Sequence, residues 1–435
     1  MKCLKYLVWI FILLFCFNIV YASDSVPKQI FYYTNSTSLN APYGMTISNT
    51  GKYLYVVTFT GKTLTTFNIN GLNSTSPKQI YVYTNTTSLN VPKAMTKNGN
   101  YLYVVSNTGR SLTVFNINGI NGSNPKQIYY YTNSTSLNNP YEVSVSKNYL
   151  YTTTYTADAL TVFNINGVNA SNPKQVKYYA NSSSINGVTG IITTTKYAYL
   201  VSQLDKRLVT FNINGANASN PKQIYVYTNT TSLNAPTRLD IKNNYLYVLS
   251  STGKTLTIFN INGINGSNPK QIYVYTNTTS LNSPIEIQIN NSFAYVLSNV
   301  GNSFTAFNIN GANATIPKQT NYYTNSTSLN VPQKMYIYNG IAYVISVTGN
   351  SLTLFNVSAT TTPPVTSCTC TAFPNNWRIN KADNCKINTN CYTGNISTYG
   401  TGNKVYINAT VMAAKRIENL SDYEYGPRAN FGIEG

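Results

Sequence analysis

The sequence predicts an all-β fold, a seven-bladed β-propeller with four-stranded blades and a composite closing blade, followed by a small cysteine-containing, β-rich C-terminal region. Three observations carry this reading: a fixed repeat, a strand-period pattern in every copy, and the phase at which the repeats start and stop. Pro-Lys-Gln recurs at Pro27, Pro77, Pro125, Pro173, Pro221, Pro269 and Pro317, spaced 50 residues once and 48 thereafter. Phe-Asn-Ile or Phe-Asn-Val follows at Phe67, Phe115, Phe163, Phe211, Phe259, Phe307 and Phe355, always 48 apart. A fixed period of about 40–50 residues marks propellers and other arrays in which each unit packs on its neighbours.

One unit, Pro221 to Asn268, shows the elements in order. Gln223–Thr228 (QIYVYT) is aromatic and β-branched, a strand. The polar loop Asn229–Pro236 leads to a short run, Arg238–Ile241, then to Tyr245–Ser250 (YLYVLS) and Thr255–Ile261 (TLTIFNI). Gly, Asn, Ser and Pro turns separate the four strands, and no stretch has helical periodicity. In propellers the innermost strand follows the long loop. That places the Met45, Met95, Val143, Ile191, Leu239, Ile287 and Met335 segments around the channel and makes Pro-Lys-Gln the start of each outer strand. The chain opens on an outer strand (Lys28–Thr34), and its repeats close on a third strand (Ser351–Val357), so the last blade is expected to borrow its outer strand from the N-terminus. Closure of the ring limits exposed sheet edges.

Residues 1–22 read as a secretory signal peptide: Lys2 and Lys5, the apolar run Leu7–Val20, then Tyr21-Ala22 before Ser23. The domains expected are thus 1–22 signal, 23–357 propeller, 358–367 a Pro/Thr linker (SATTTPPVTS over 358–367) and 368–435 a C-terminal region. No further apolar stretch is long enough to span a bilayer, so a secreted or cell-surface location is expected. The mature chain keeps Cys368, Cys370, Cys385 and Cys391, an even number that favours two disulfides over a zinc site. Cys368 and Cys370 are too close to pair comfortably, so each is expected to bond Cys385 or Cys391. Trp377–Ile379, Lys386–Asn388 and Lys404–Met412 read as short strands, and 421–435 as a polar, mobile tail.

Tyr-Leu-Tyr-Val-Val followed by Leu-Thr-Val-Phe-Asn-Ile resembles the YVTN and LVIVD repeats of microbial surface β-propellers. The turn Ser48-Asn49-Thr50-Gly51-Lys52-Tyr53 is similar to the Ser-Pro-Asp-Gly-Lys turn of those repeats. The resemblance covers residues 27–357; it implies the propeller fold and an extracellular setting, and propellers host many unrelated activities.

The chain carries 30 Lys and Arg against 11 Asp and Glu, a formal charge of +19. Seven of these are the Pro-Lys-Gln lysines, one per outer strand, where lysine discourages edge-to-edge pairing. Basic residues spread round a rim do not make the focused groove nucleic acid needs, so no nucleic-acid partner is expected. The 39 tyrosines read as interblade packing with hydroxyls at the rim rather than as sugar platforms. There is no histidine, which removes histidine-based general bases and the commonest metal ligand. No cofactor or metal is expected, and no residue is assigned as catalytic.

One slot, seventeen residues after each repeat's proline, varies in charge: Gly44, Ala94, Glu142, Gly190, Arg238, Glu286 and Lys334. With Asp240 it would line a charged channel mouth, so Glu142, Arg238, Asp240, Glu286 and Lys334 are the candidate ligand-binding residues. Opposite charges there are expected to hold the carboxylates below the range a general base prefers. Asn-x-Ser/Thr sequons recur in two sets, Asn35, Asn85, Asn133, Asn181, Asn229, Asn277 and Asn325 after the outer strand, and Asn73, Asn121, Asn169, Asn217, Asn265 and Asn313 before Pro-Lys-Gln. They suggest an N-glycosylated protein, although turn chemistry also favours Asn and Ser/Thr there. The function expected is a non-catalytic scaffold, adhesion or coat component, not an enzyme, with an extracellular or cell-surface protein or glycan as partner. The alternatives are a lactonase-like or lyase-like enzyme with its site at the channel mouth, or a self-associating filament or layer subunit.

Overall fold

The computed structural model describes residues 27–358 and, in the C-terminal region, residues 377–380, 386–387, 390–399, 405–407, 410–417, 423–425 and 430–433. The expected signal peptide, the linker and three of the four C-terminal cysteines lie outside the described residues, so the disulfide expectation does too. Cys391 opens a strand.

Residues 27–358 form twenty-eight strands, β1 to β28 in chain order, in seven antiparallel four-stranded sheets. The first blade runs from the channel outward as β2 (Pro42–Ile47), β3 (Tyr53–Thr58), β4 (Thr63–Asn68) and β5 (Lys78–Thr84). The inner strands of the next five blades are β6 (Pro92–Asn98), β10 (Pro140–Ser146), β14 (Val188–Thr193), β18 (Pro236–Lys242) and β22 (Pro284–Asn290). The seventh blade has the order β26 (Pro332–Tyr338), β27 (Ile341–Ser346), β28 (Ser351–Asn356), β1 (Lys28–Thr34). Its outer strand is the N-terminal one, with Lys28 opposite Asn356 and Thr34 opposite Ser351, as the repeat phase predicts.

The two middle strands of each blade are buried almost throughout, and the core lies between blades. Phe67 and its equivalents are fully buried, each meeting an outer-strand tyrosine edge-on, such as Tyr33 on Phe67 at 5.7 Å between centroids. Three rows of polar bonds tie blade to blade. The buried Tyr55 donates to Gly122 O of the next blade at 2.7 Å, and the pattern repeats from Tyr103 to Ala170. In the outer row, the Pro-Lys-Gln glutamine accepts from a tyrosine and a serine of the preceding repeat: Gln127 Oε1 from Tyr83 Oη at 2.8 Å and from Ser88 Oγ at 2.7 Å. In the inner row, Asp240 and Gln288 accept the Ile289 and Ile337 amides of the next blade, each at 2.7 Å.

The first sequon set has a structural role. Asn85 Oδ1 accepts the Thr87 and Ser88 amides, while its Nδ2 donates to Tyr83 Oη at 3.2 Å. Turn and interblade bonding therefore account for these asparagines. The segment closing each of the first six repeats, which carries the second set, is a single 3-10 turn such as Gly71–Ser74.

In the C-terminal region, β29 (Trp377–Asn380), β31 (Cys391–Tyr399), β33 (Thr410–Ile417) and β35 (Asn430–Ile433) pair in parallel. β30 (Lys386–Ile387), β32 (Val405–Ile407) and β34 (Tyr423–Tyr425) form a second parallel sheet. Successive strands alternate between the two sheets. Within the range expected to be a mobile tail, the described residues Tyr423–Tyr425 and Asn430–Ile433 are instead strands, whose parallel neighbours give backbone partners that side-chain polarity does not disclose.

Candidate functional site

Each inner strand begins with an irregularity in its pairing, between Pro42 and Gly44 in the first blade and between Pro140 and Glu142 in the third. A bulge sets two residues opposite one and re-aims their side chains. Tyr141 and the neighbouring Glu142 consequently both reach Arg238, the ring at 5.5 Å from Cζ and the carboxylate at 3.0 Å from Nη2.

Four charges from four blades close into a ring. Arg238 Nη2 lies 3.0 Å from Glu142 Oε2, and Nε 3.3 Å from Glu286 Oε2. Lys334 Nζ lies 3.6 Å from Glu142 Oε2 and 3.1 Å from Glu286 Oε1. The fourth blade's slot residue, Gly190, is tightly packed: a Cβ there would stand 3.0 Å from Thr237 O and 2.9 Å from a Val201 methyl. Arg238 donates to the carbonyl of the adjacent Thr189. The ring is under-bonded. Glu142 Oε2 and Arg238 Nε sit at ion-pair distance but are not aligned for a hydrogen bond, although both are buried.

Next to the ring is a channel cavity of about 230 Å³, lined by all five sequence candidates and by Met45, Met95, Val143, Ile191, Leu239, Ile287 and Met335. The structure thus brings Glu142, Arg238, Asp240, Glu286 and Lys334 to one place. Three residues that the sequence reading missed join them. Lys93 Nζ stands 3.8 Å from the Tyr43 ring centroid and 4.5 Å from that of Tyr141, with Phe59 beyond at 5.7 Å. Their slot, sixteen residues after the repeat proline, holds Tyr43, Lys93, Tyr141, Thr189, Thr237, Ile285 and Gln333, a variability the sequence already displays.

The ring's acids are pushed apart. Burial raises the pKa of Glu142, but Lys334, Arg238 and the Val143 amide overcome it, leaving the group below its ordinary value. Burial also raises Glu286; Lys334 and Arg238 oppose it, Glu142 adds to it, and the net is upward. Asp240 is raised to about 7, because burial and the nearby Glu286 outweigh two backbone amides and the charge of Lys334. Lys93 falls to about 7 through burial and repulsion from Arg238, against the pull of Glu142. The expectation of uniformly lowered carboxylates therefore holds for Glu142 and is corrected for Asp240 and Glu286: Asp240 has backbone amides rather than a cation as its direct partners.

No protein-family model matches the sequence, and no curated protein is significantly similar to it. Solved structures match in fold. Virginiamycin B lyase from Staphylococcus aureus aligns over 76% of this chain and 99% of its own, with a TM-score of 0.59 and 11% identity. A variant of that lyase with one histidine changed to alanine, solved with quinupristin, is described as catalytically inactive and aligns over the same shares at 12% identity and a TM-score of 0.59. A periplasmic gluconolactonase from Pseudomonas aeruginosa aligns over 70% of this chain and 88% of its own, with a TM-score of 0.56 and 15% identity. These likenesses carry the seven-bladed fold. The expectation of a non-catalytic scaffold that is not an enzyme is withdrawn on this finding: a streptogramin-type lyase and a gluconolactonase are among the propellers that match.

Proposed function

We propose that this protein is a lyase-like or lactonase-like propeller enzyme with its site in the channel, acting on a small anionic carbonyl compound by proton transfer. The observation that carries this reading is the cavity lined by Asp240, poised near neutrality, together with the fixed charges of Glu142, Arg238, Glu286 and Lys334. A general base works best with a pKa near the operating pH, and a carboxylate raised by burial meets that need. Asp240 takes the proton, from carbon in an elimination or from water in a ring opening. Arg238 and Lys334 neutralise the oxyanion that develops, as fixed cations in a water-poor site do. Tyr43, its pKa pushed up to about 12 mainly by burial, keeps its hydroxyl proton at neutral pH and remains a donor at the mouth. The matched lyase depends on a histidine; this chain has none, so the role passes to Asp240.

The setting proposed is extracytoplasmic, which the YVTN/LVIVD-like repeats and the N-terminal apolar run support. Among the described residues no helix is long and apolar enough to cross a membrane. Glycan occupancy belongs to the same proposal and is read from the mass lost on enzymatic deglycosylation. The function is tested with sugar-acid lactones and with virginiamycin B. Turnover of one of them, lost in Asp240→Asn but not in Lys62→Gln on the outer surface, is the expected result. Turnover unchanged in Asp240→Asn overturns the assignment.

A further inference from the structure

The strand register gathers all the turns that join β4-type to β5-type strands on one face of the propeller. Tyr53 pairs with Asn68, and Asn68 with Lys78, so the inner-hairpin turn, the 3-10 turn and the start of the outer strand share one edge in every blade. Each 3-10 turn opens on a glycine with positive φ, from Gly71 (+56°) to Gly311 (+55°), and a Cβ there would meet nothing within 4 Å. The turn therefore projects its second residue outward. That residue is Leu72, Ile120, Val168 or Ile264 in four blades, exposed by 95%, 88%, 85% and 85%, and alanine in the other two. Single exposed aliphatics are ordinary on protein surfaces. Four at one repeated position, nearly free of protein contact, are not.

The charge on this face is one-sided. Its edge carries the seven exposed Pro-Lys-Gln lysines, Lys28 and Lys78 among them, together with the exposed Lys52, Lys147 and Lys196. The acids of residues 27–358 are Glu142, Glu286 and Asp240 in the channel and Asp158 and Asp205 on turns of the opposite face, so none lies on this edge. Aliphatic tips that enter the acyl boundary, within a field of lysines that attract anionic headgroups, are the two elements of interfacial membrane binding. We propose that this face docks onto an anionic lipid bilayer, independently of the chemistry in the channel.

The test is sedimentation of the secreted full-length protein with phosphatidylcholine vesicles, with and without phosphatidylserine. It is run on untreated and on deglycosylated protein, because the second sequon set adjoins the tips. Binding to the anionic vesicles alone is expected. Lys78→Gln/Lys126→Gln/Lys222→Gln should weaken it roughly a hundredfold, at about fivefold per lysine near a charged surface. Replacing the four tips by serine should weaken it at least tenfold, since each removes a buried aliphatic chain. Lys62→Gln/Arg110→Gln/Lys254→Gln on the opposite face should leave it unchanged. All these positions are at the surface, so folding is checked simply by melting. The inference is overturned if the untreated protein fails to sediment with anionic vesicles, if neutral vesicles bind equally, if both variant sets bind normally, or if only an acidic polysaccharide is bound.

Discussion

Asp240 and Arg238 stand two residues apart on β18 and have opposite dispositions: among the described residues Asp240 has no cation at ion-pair distance, while Arg238 is paired twice. The pairing makes Arg238 structurally expensive to remove. Arg238→Met leaves Glu142 and Glu286 with Lys334 alone, and breaking a buried ion pair costs about 3–5 kcal/mol. Urea unfolding should record a loss of that order, and Arg238→Met/Glu142→Gln should recover part of it; a single variant as stable as the parent would contradict the ring. Asp240 gives a pH signature of the opposite kind. Its carboxyl keeps its proton up to about 7 when folded but only to near the ordinary 3.8 when unfolded. The folded state therefore binds more protons between these values, and this contribution to stability falls as pH rises through that window. Melting temperatures from pH 4 to 8 should show a decline that Asp240→Asn flattens. The ring residues were legible in the sequence as one variable slot within a constant repeat. Their pKa directions were not, because burial, which the sequence does not show, is the largest influence on Asp240 and outweighs the two backbone amides that oppose it. Lys93 and Tyr43 were missed because a bulge re-aims the preceding slot, and no composition or spacing announces a bulge.

At the level of strands, the repeat signature acquires a mechanism. Pro-Lys-Gln seats a glutamine that accepts from a tyrosine and a serine of the previous repeat. Gln127→Leu would strand Tyr83 Oη and Ser88 Oγ without their acceptor, at a cost of about 1–3 kcal/mol for unsatisfied buried polar groups. Thermal unfolding should shift down accordingly, and no shift would show that water replaces the glutamine freely. The closing blade was read from phase alone, since the array begins one strand early and ends one strand short. Removing residues 27–34 uncovers the β28 edge from Ser351 to Asn356, a template for pairing with a second chain. Light scattering of that truncated protein should show association that the parent lacks. The 3-10 turns escaped the sequence reading because Asn-Gly marks any tight turn, and one turn of helix leaves no periodicity.

Across the propeller, a nearly symmetric set of blades encloses an asymmetric channel. The strands that pack between blades repeat with little change, while no two blades share the same pair of residues at the two adjacent inner-strand slots. Such a division is what a rigid scaffold with a specialised site requires. The fold was therefore readable from the repeat, whereas the function was misjudged. With no histidine, proton transfer was left to the channel carboxylates, which nearby cations were expected to hold too low, yet burial brings Asp240 to about 7. The most direct measurement is the pH dependence of kcat/KM for whichever lactone or cyclic ester the protein turns over, in the parent and in Asp240→Asn. The rate is expected to climb through about pH 7 as Asp240 ionises, and to fall at least a hundredfold in the variant with its fold intact. A flat profile between pH 5 and 8, or a variant as active as the parent, would contradict it.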